Sequence, residues 1–282
     1  RRQQYYLHNF LPEQPNLNHA NPEIREELNK IARFWFDRGV DGFRLDAVHT
    51  INGDTPPYRD NLADPNFVLG PLPQDKQPFF RQLHDVAQLN QPVIQEFSKA
   101  YRKIADEYDG DRFLMGEVDG DEGNAMNVSE AFSEPGRLHA TYNFDLLEWS
   151  GLTVLGLKEA ISNAIEVFNG SGRLCFAFSN HDVPRSATRQ LEPLGISVDK
   201  QDDLQLLLLK LETSLIGSTC VYQGEELGLG DVIDIPIDKM KDPWGINFHP
   251  EFLGRDTCRT PMVWDKKQPC LLYTSPSPRD PI

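Results

Sequence analysis

The chain has 282 residues, enough to bury a sizeable core as one large domain or two ordinary ones. Its formal net charge of −15, with 25% charged residues, repels phosphate backbones and argues against a nucleic-acid partner or an anionic membrane surface. A neutral or cationic small ligand is easier to accommodate. The richest apolar stretch, Leu204 to Ile216, is broken by Gln205, Lys210 and Glu212 and is too short to cross a bilayer, and no signal peptide is read at Arg1. Cys175, Cys220, Cys258 and Cys270 show no CxxC spacing. They read as free thiols in a reducing, cytoplasmic compartment rather than as disulfides or metal ligands.

From Asn21 the chain runs NPEIREELNKIARFWFDRG, with Asn as N-cap, Pro22 at the first helical position and Ile24, Leu28, Ile31 and Trp35 at helical spacing. Gly39 ends it. VDGFRLD follows with period-two alternation and closes on a carboxylate, so helix, glycine, strand and acid come in order. The order recurs in a second helix marked by Ile94, Phe97, Tyr101, Ile104 and Tyr108, broken at Asp109-Gly110 and followed by RFLMGE ending at Glu117. RLHATYNFDLL supplies a further strand. A third helix carries Val154, Leu157, Ile161, Ile165 and Phe168, then the turn 169–172, then RLCFAFSNHD reaching His181 and Asp182. A fourth carries Leu204, Leu207, Leu208, Leu211 and Leu215, then Gly217, then STCVYQGEE.

Helices alternating with apolar strands imply an α/β fold with a parallel sheet and helices packed outside. An open doubly wound sheet and a closed (β/α) barrel both qualify. No GxGxxG follows any strand, which weakens a dinucleotide fold. Acids at the carboxyl ends of several strands favour the barrel, whose strand ends converge on one mouth.

Period two sends Phe43 and Leu45 toward the helices and places Arg44 and Asp46 on the opposite face. A guanidinium beside Asp46 would keep it ionised, as a nucleophile must be, although a structural ion pair has the same signature. Glu117 ends an apolar run, where desolvation favours a protonated acid able to act as general acid; a solvated acid opening the loop DGDEGN is the plainer alternative. That loop lacks EF-hand spacing and is not read as a metal site. His181 and Asp182 share a mouth only if their strand has already ended and turned. Two carboxylates of opposed pKa are what glycoside cleavage needs.

DGFRLDAV, FLMGEV and FSNHD resemble three diagnostic motifs of the α-amylase superfamily, and YYLHNFLPEQPNLN, YQGEELG and GRDTCRTPMVW are similar to its α-glucosidase and oligo-1,6-glucosidase branch. The resemblance covers residues 1–265 and implies a partial (β/α)8 TIM barrel, about strands 4–8, as the C-terminal portion of a catalytic domain. It implies Asp46 as nucleophile, Glu117 as general acid/base and Asp182 as the carboxylate that stabilises an oxocarbenium-like transition state. Arg44 would orient Asp46, His181 would bind sugar hydroxyls, and Arg185, Phe144 and Arg255 match positions near the sugar subsites. Ala47, following the nucleophile, leans toward α-1,4 over α-1,6 cleavage, because valine accompanies α-1,6 cleavage in this branch. No cofactor or metal is implied, and the expected partner is a small oligosaccharide.

Three departures accompany the resemblance. QPNLN puts Asn16 where the family has a carboxylate that helps anchor a loop. No counterpart of the family's first motif is present, so the chain reads as an internal fragment, expected to fold poorly and to lack glucosidase activity alone. Residues 266–282, KKQPCLLYTSPSPRDPI, abandon the family pattern and read as an unrelated tail. A transglycosylase, a trehalose- or sucrose-processing relative, and a catalytically silent glucosidase-like subunit of an amino-acid transporter are the rival readings.

Overall fold

The computed structural model describes residues 5–8, 10–51, 92–118, 125–147, 151–169 and 173–264. The acidic loop 119–124, Cys270 and the tail 266–282 lie outside the described residues. In chain order the helices and strands are α1 (Pro22–Phe36), β1 (Gly42–Leu45), α2 (Pro92–Ala105), β2 (Phe113–Glu117), α3 (Ala125–Phe132) and β3 (Ala140–Tyr142). They continue with α4 (Val154–Phe168), β4 (Leu174–Phe176), α5 (Ser186–Arg189), α6 (Gln201–Ser214), β5 (Ser218–Thr219) and α7 (Pro243–Phe248). The strands are ordered as they occur in the chain. The described residues fall into two compact units, the first comprising those up to 143 together with 164–175, the second those of 144–163 and 176–264.

In the first unit β1 pairs with β2, β2 with β3 and β3 with β4, all parallel. Each parallel step needs a crossover, and α2 and α3 precede β2 and β3 for that reason. The start of α1 follows its sequence signals: the Asn21 side chain accepts the Glu23 N–H at 2.9 Å, satisfying a donor that the first turn leaves unpaired. Gly39 closes the helix at φ +87°, a conformation that disfavours any residue with a Cβ.

The core of this unit joins Ala32 and Phe36 of α1 to Ile94, Tyr101, Ile104 and Ala105 of α2 and Leu114 of β2, with Phe43 and Leu45 packed against it. Period two therefore points Phe43 and Leu45 toward the helices as expected. The buried face of α1 is rotated from the expected one: Ile31 and Trp35 are exposed, while Ala32 and Phe36 are buried. Arg33 fixes the helix pair with a two-pronged bond to Glu107, Nε to Oε2 and Nη2 to Oε1, each 2.8 Å.

Close approach of β1 to β2 depends on Gly42, where a Cβ would lie 2.0 Å from the Phe113 carbonyl oxygen. The obstruction is backbone and cannot rotate away. Gly42→Ala is expected to cost at least ~3 kcal/mol, the upper end of typical overpacking penalties. An unchanged denaturation midpoint would mean that these strands are not so tightly paired.

In the second unit the Cys220 N–H donates to the Phe176 carbonyl at 2.8 Å, seating β5 beside the last residue of β4. Phe176, Phe178, Leu204, Leu208 and Cys258 are buried here. The apolar run at β4 forms only three strand residues, so His181 and Asp182 lie beyond the strand. On α6 the buried side chains are Leu204, Gln205, Leu208 and Glu212, whereas Leu207, expected on the core face, is 61% exposed. Cys175 and Cys258 are buried free thiols, and Cys220 is a half-buried one.

Candidate active site

Parallel register builds the first unit's acid pair. Leu45 is paired with Gly116, so Asp46 and Glu117, the residues that follow each, emerge together at the carboxyl ends of adjacent strands. Arg44 spans them. Its Nη1 bonds Asp46 Oδ1, and its Nη2 lies 2.8 Å from Glu117 Oε2. The same Oε2 accepts the Ala47 backbone N–H at 2.8 Å.

The two carboxylates differ sharply in environment: the Asp46 side chain is 77% exposed and that of Glu117 only 9%. Val48 and Val118, both buried, pack in the same core cluster. The apolar wall expected around Glu117 is present, but its isolation is corrected, because a guanidinium and a backbone N–H meet the carboxylate. Arg44 thus serves both acids rather than Asp46 alone.

Ala47 sits at φ +39° and ψ +40°, left-handed backbone that an L-residue occupies at a cost. That turn aims its N–H at Glu117. Glycine relieves the strain and a β-branched residue increases it, by roughly 1–3 kcal/mol. Ala47→Gly is expected to hold or raise the thermal midpoint and Ala47→Val to lower it. The opposite order in thermal unfolding would contradict this backbone.

In the second unit Asp182 is a carboxylate among cations. Asn180 Oδ1 accepts the backbone N–H groups of Asp182 and Val183, at 2.8 and 3.0 Å, and this turn orients the acid after the strand has ended. Asp182 Oδ1 lies 2.8 Å from Arg255 Nη1 and 2.6 Å from Arg259 Nη2, and its Oδ2 lies 3.3 Å from His181 Nε2. Burial pushes the Asp182 pKa up, but His181, Arg255 and Arg259 outweigh it and hold the carboxyl below its usual range. Arg259 also donates from Nε to the His181 carbonyl at 2.6 Å.

Arg185, expected near the sugar subsites, is corrected to a structural residue. It is 1% exposed, its Nη1 and Nη2 donate to the carbonyls of Gln223 and Cys258 at 2.5 and 3.1 Å, and it stacks 4.7 Å over Tyr222. Phe144 is half-buried shortly after β3. Arg259 and Asp242 escaped the sequence reading. Arg259 had a usable signal: it stands four residues after Arg255 in GRDTCRTPMVW, where its N–H bonds the Arg255 carbonyl at 3.2 Å and closes a helix-like turn. Asp242 had only the Asp-Pro signature of a helix start, which says nothing of Arg255.

The catalytic-domain model of the alpha-amylase family matches residues 1–275. The chain belongs to the alpha-amylase family. The α/β fold expected from the sequence, part of a (β/α)8 barrel, is that family's fold, and among the described residues five strands in chain order with helices between them belong to it. A probable alpha-glucosidase of Rhizobium meliloti is 38% identical over 269 residues, which are 94% of this chain and 46% of that protein. An oligo-1,6-glucosidase of Parageobacillus thermoglucosidasius is 27% identical over 94% of this chain and 49% of its own length. The chain therefore spans about half the length of the curated relatives it matches. Among solved structures, an alpha-glucosyl transfer enzyme, XgtA, is similar with a TM-score of 0.79 and 35% identity, over 93% of this chain and 47% of that one.

Proposed function

We propose that a protein containing this chain is a retaining α-glucosidase that releases glucose from the ends of short oligosaccharides. The bridged pair Asp46–Arg44–Glu117 carries the reading: an exposed carboxylate and a buried one emerge at neighbouring strand ends and share one cation. Retaining glycosidases need two carboxyl groups about 5–5.5 Å apart, one attacking the anomeric carbon and one protonating the leaving oxygen. Asp46 takes the first role because it is open to substrate, and Glu117, nearly buried at the neighbouring strand end, takes the second. Asp182, charged and held by two arginines, supplies the negative charge that an oxocarbenium-like transition state attracts.

Ala47 supports α-1,4 over α-1,6 linkages, because a small side chain next to the nucleophile leaves room for the aglycone. The free thiols at Cys175, Cys220 and Cys258 are in keeping with a reducing, cytoplasmic setting. Among the described residues, no helix is long and apolar enough to cross a membrane. The deciding experiment is hydrolysis of maltose and isomaltose by the full-length protein, with the anomer released followed by NMR. Initial release of α-glucose from maltose supports the reading; β-glucose, or no turnover of either sugar, overturns it.

Glucosyl transfer is the second reading, favoured by likeness to a solved alpha-glucosyl transfer enzyme at 35% identity. The covalent step is the same and only the acceptor differs, water or a sugar hydroxyl. Trisaccharide accumulating from maltose faster than free glucose would select it.

A further inference from the structure

Asp242 belongs to the second unit, far along the chain from Asp182, and its side chain is 1% exposed. It stands at the N-cap of α7, yet its side chain makes no capping bond. Both of its oxygens go to Arg255. Oδ1 accepts Nη2 at 2.8 Å, while Oδ2 accepts the Arg255 backbone N–H at 2.7 Å and Nε at 3.2 Å. Asp256 Oδ2 in turn accepts the Asp242 backbone N–H at 2.9 Å and that of Lys241 at 2.5 Å. Gly254 packs so tightly here that a Cβ would come 2.6 Å from Asp242 Oδ2.

A guanidinium is a rigid planar fork, so engaging Nε and Nη2 on one carboxylate fixes the direction of Nη1. That direction is Asp182 Oδ1, 2.8 Å away. The arginine's face lies 5.3 Å from the centre of the Trp244 ring, a further restraint on its plane. Asp242 does not touch Asp182 itself; Arg255 stands between them.

We propose that Asp242 is a positioning residue for Asp182: it locks the plane of Arg255 so that Nη1 pins one oxygen of Asp182, leaving the other, on the His181 side, for the sugar. What Asp182 does rests on the α-glucosidase reading; the lock does not. The titratable and charged groups facing Asp182 are His181, Arg255 and Arg259, and those facing Asp242 are Arg255 and Arg259, with the Asp256 carboxylate on its backbone N–H. Burial pushes Asp242 up, and Arg255 and Arg259 outweigh it, so the net shift is downward and the acid is charged where the lock is needed.

Asp242→Asn separates a lock from a bystander by the sign of its effect. Removing a nearby negative charge and nothing more makes Asp182 easier to ionise and lowers its titration midpoint. Losing the lock does the reverse. An asparagine amide presents N–H donors where Arg255 also presents donors, the fork turns away, and Asp182 loses a cation. The full-length protein, labelled with 13C at aspartate Cγ and assigned with Asp182→Asn, is titrated by NMR, and kcat and KM for maltose are measured on the same samples. In Asp242→Asn the Asp182 midpoint is expected to rise by on the order of half a unit or more. In an Arg255→Ala background the same substitution should not raise it. For maltose, kcat should fall at least tenfold. Asp242→Glu, which keeps the charge but lengthens the arm, should recover part of the loss. A midpoint that stays or falls in Asp242→Asn, an equal rise without Arg255, or a wild-type Asp182 midpoint at the ordinary aspartate value each overturns the lock. Absence of maltose turnover in the wild type instead overturns the α-glucosidase reading, while the titration still decides the lock.

Discussion

Asp46→Ala in a full-length protein containing this chain is expected to lower turnover of maltose and of an aryl α-glucoside by roughly three orders of magnitude or more, because covalent catalysis loses its nucleophile. The fold should barely respond. The Asp46 side chain is 77% exposed, and Arg44 keeps a second carboxylate partner in Glu117. Exposed ion pairs are worth about 0–1 kcal/mol, so the thermal midpoint should move little. This combination, chemistry lost and stability kept, separates a nucleophile from a structural ion pair. Turnover above a tenth of wild type would return Asp46 to the structural role. Substrates with good leaving groups should not be spared, since attack at the anomeric carbon is needed whatever departs.

The second large effect concerns stability in alkali. Glu212 of α6 is 1% exposed and its Oε1 has no hydrogen-bond partner. Burial, then the neighbouring Glu225, push its pKa from 4.5 up to about 9. Glu225 is itself well supplied: the Ser179 and Ser186 hydroxyls lie 2.6 and 2.9 Å from Oε1, and the Tyr222 N–H bonds Oε2 at 2.8 Å. The folded chain holds the Glu212 proton up to about pH 9, while the unfolded chain releases it near pH 4.5. Between those values the folded state binds more protons, so stability falls as pH rises. At one pKa unit per 1.36 kcal/mol, the loss accumulated by pH 7 is on the order of 3 kcal/mol. Glu212→Gln cannot ionise and places an amide donor toward Glu225. Its thermal midpoint should exceed wild type at pH 8 and flatten across pH 5–9. A wild-type midpoint that does not fall over that range would show that Glu212 is hydrated.

Much of this architecture is legible in the sequence because helices and strands announce themselves by period. The Asn21–Pro22 start of α1, the break at Gly39 and the acids closing β1 and β2 follow from local rules. What period does not reveal is the rotation of a face. Ile31 and Trp35 carry the right spacing, yet Ala32 and Phe36, one step around the helix, fill the core. The polar breaks in Leu204 to Ile216 count against a membrane span but do not announce that Gln205 and Glu212 point inward, where Gln205 Oε1 lies 3.2 Å from the Ser186 hydroxyl. Arg185 misleads for a related reason. The resemblance puts it near the sugar subsites, whereas its donors satisfy the carbonyls of Gln223 and Cys258, which are remote in sequence. Locally Asp242 is legible only as the start of α7, since its bonds to Arg255 are made only in the folded loop.

Under the proposed retaining reaction, sharing one guanidinium between Asp46 and Glu117 would bear on both displacements. In the proposed mechanism the nucleophile must start anionic and the proton donor neutral, so such a pair would carry a single negative charge. After attack Asp46 would be a neutral ester and Glu117, having given up its proton, would be the anion that activates water. The sum has not changed; the charge has moved from one carboxyl to the other. Arg44, with one Nη on each, can follow that migration without moving its own charge. The two half-reactions would then meet the same electrostatic field, and the covalent intermediate would not leave an orphaned ion at the foot of the site.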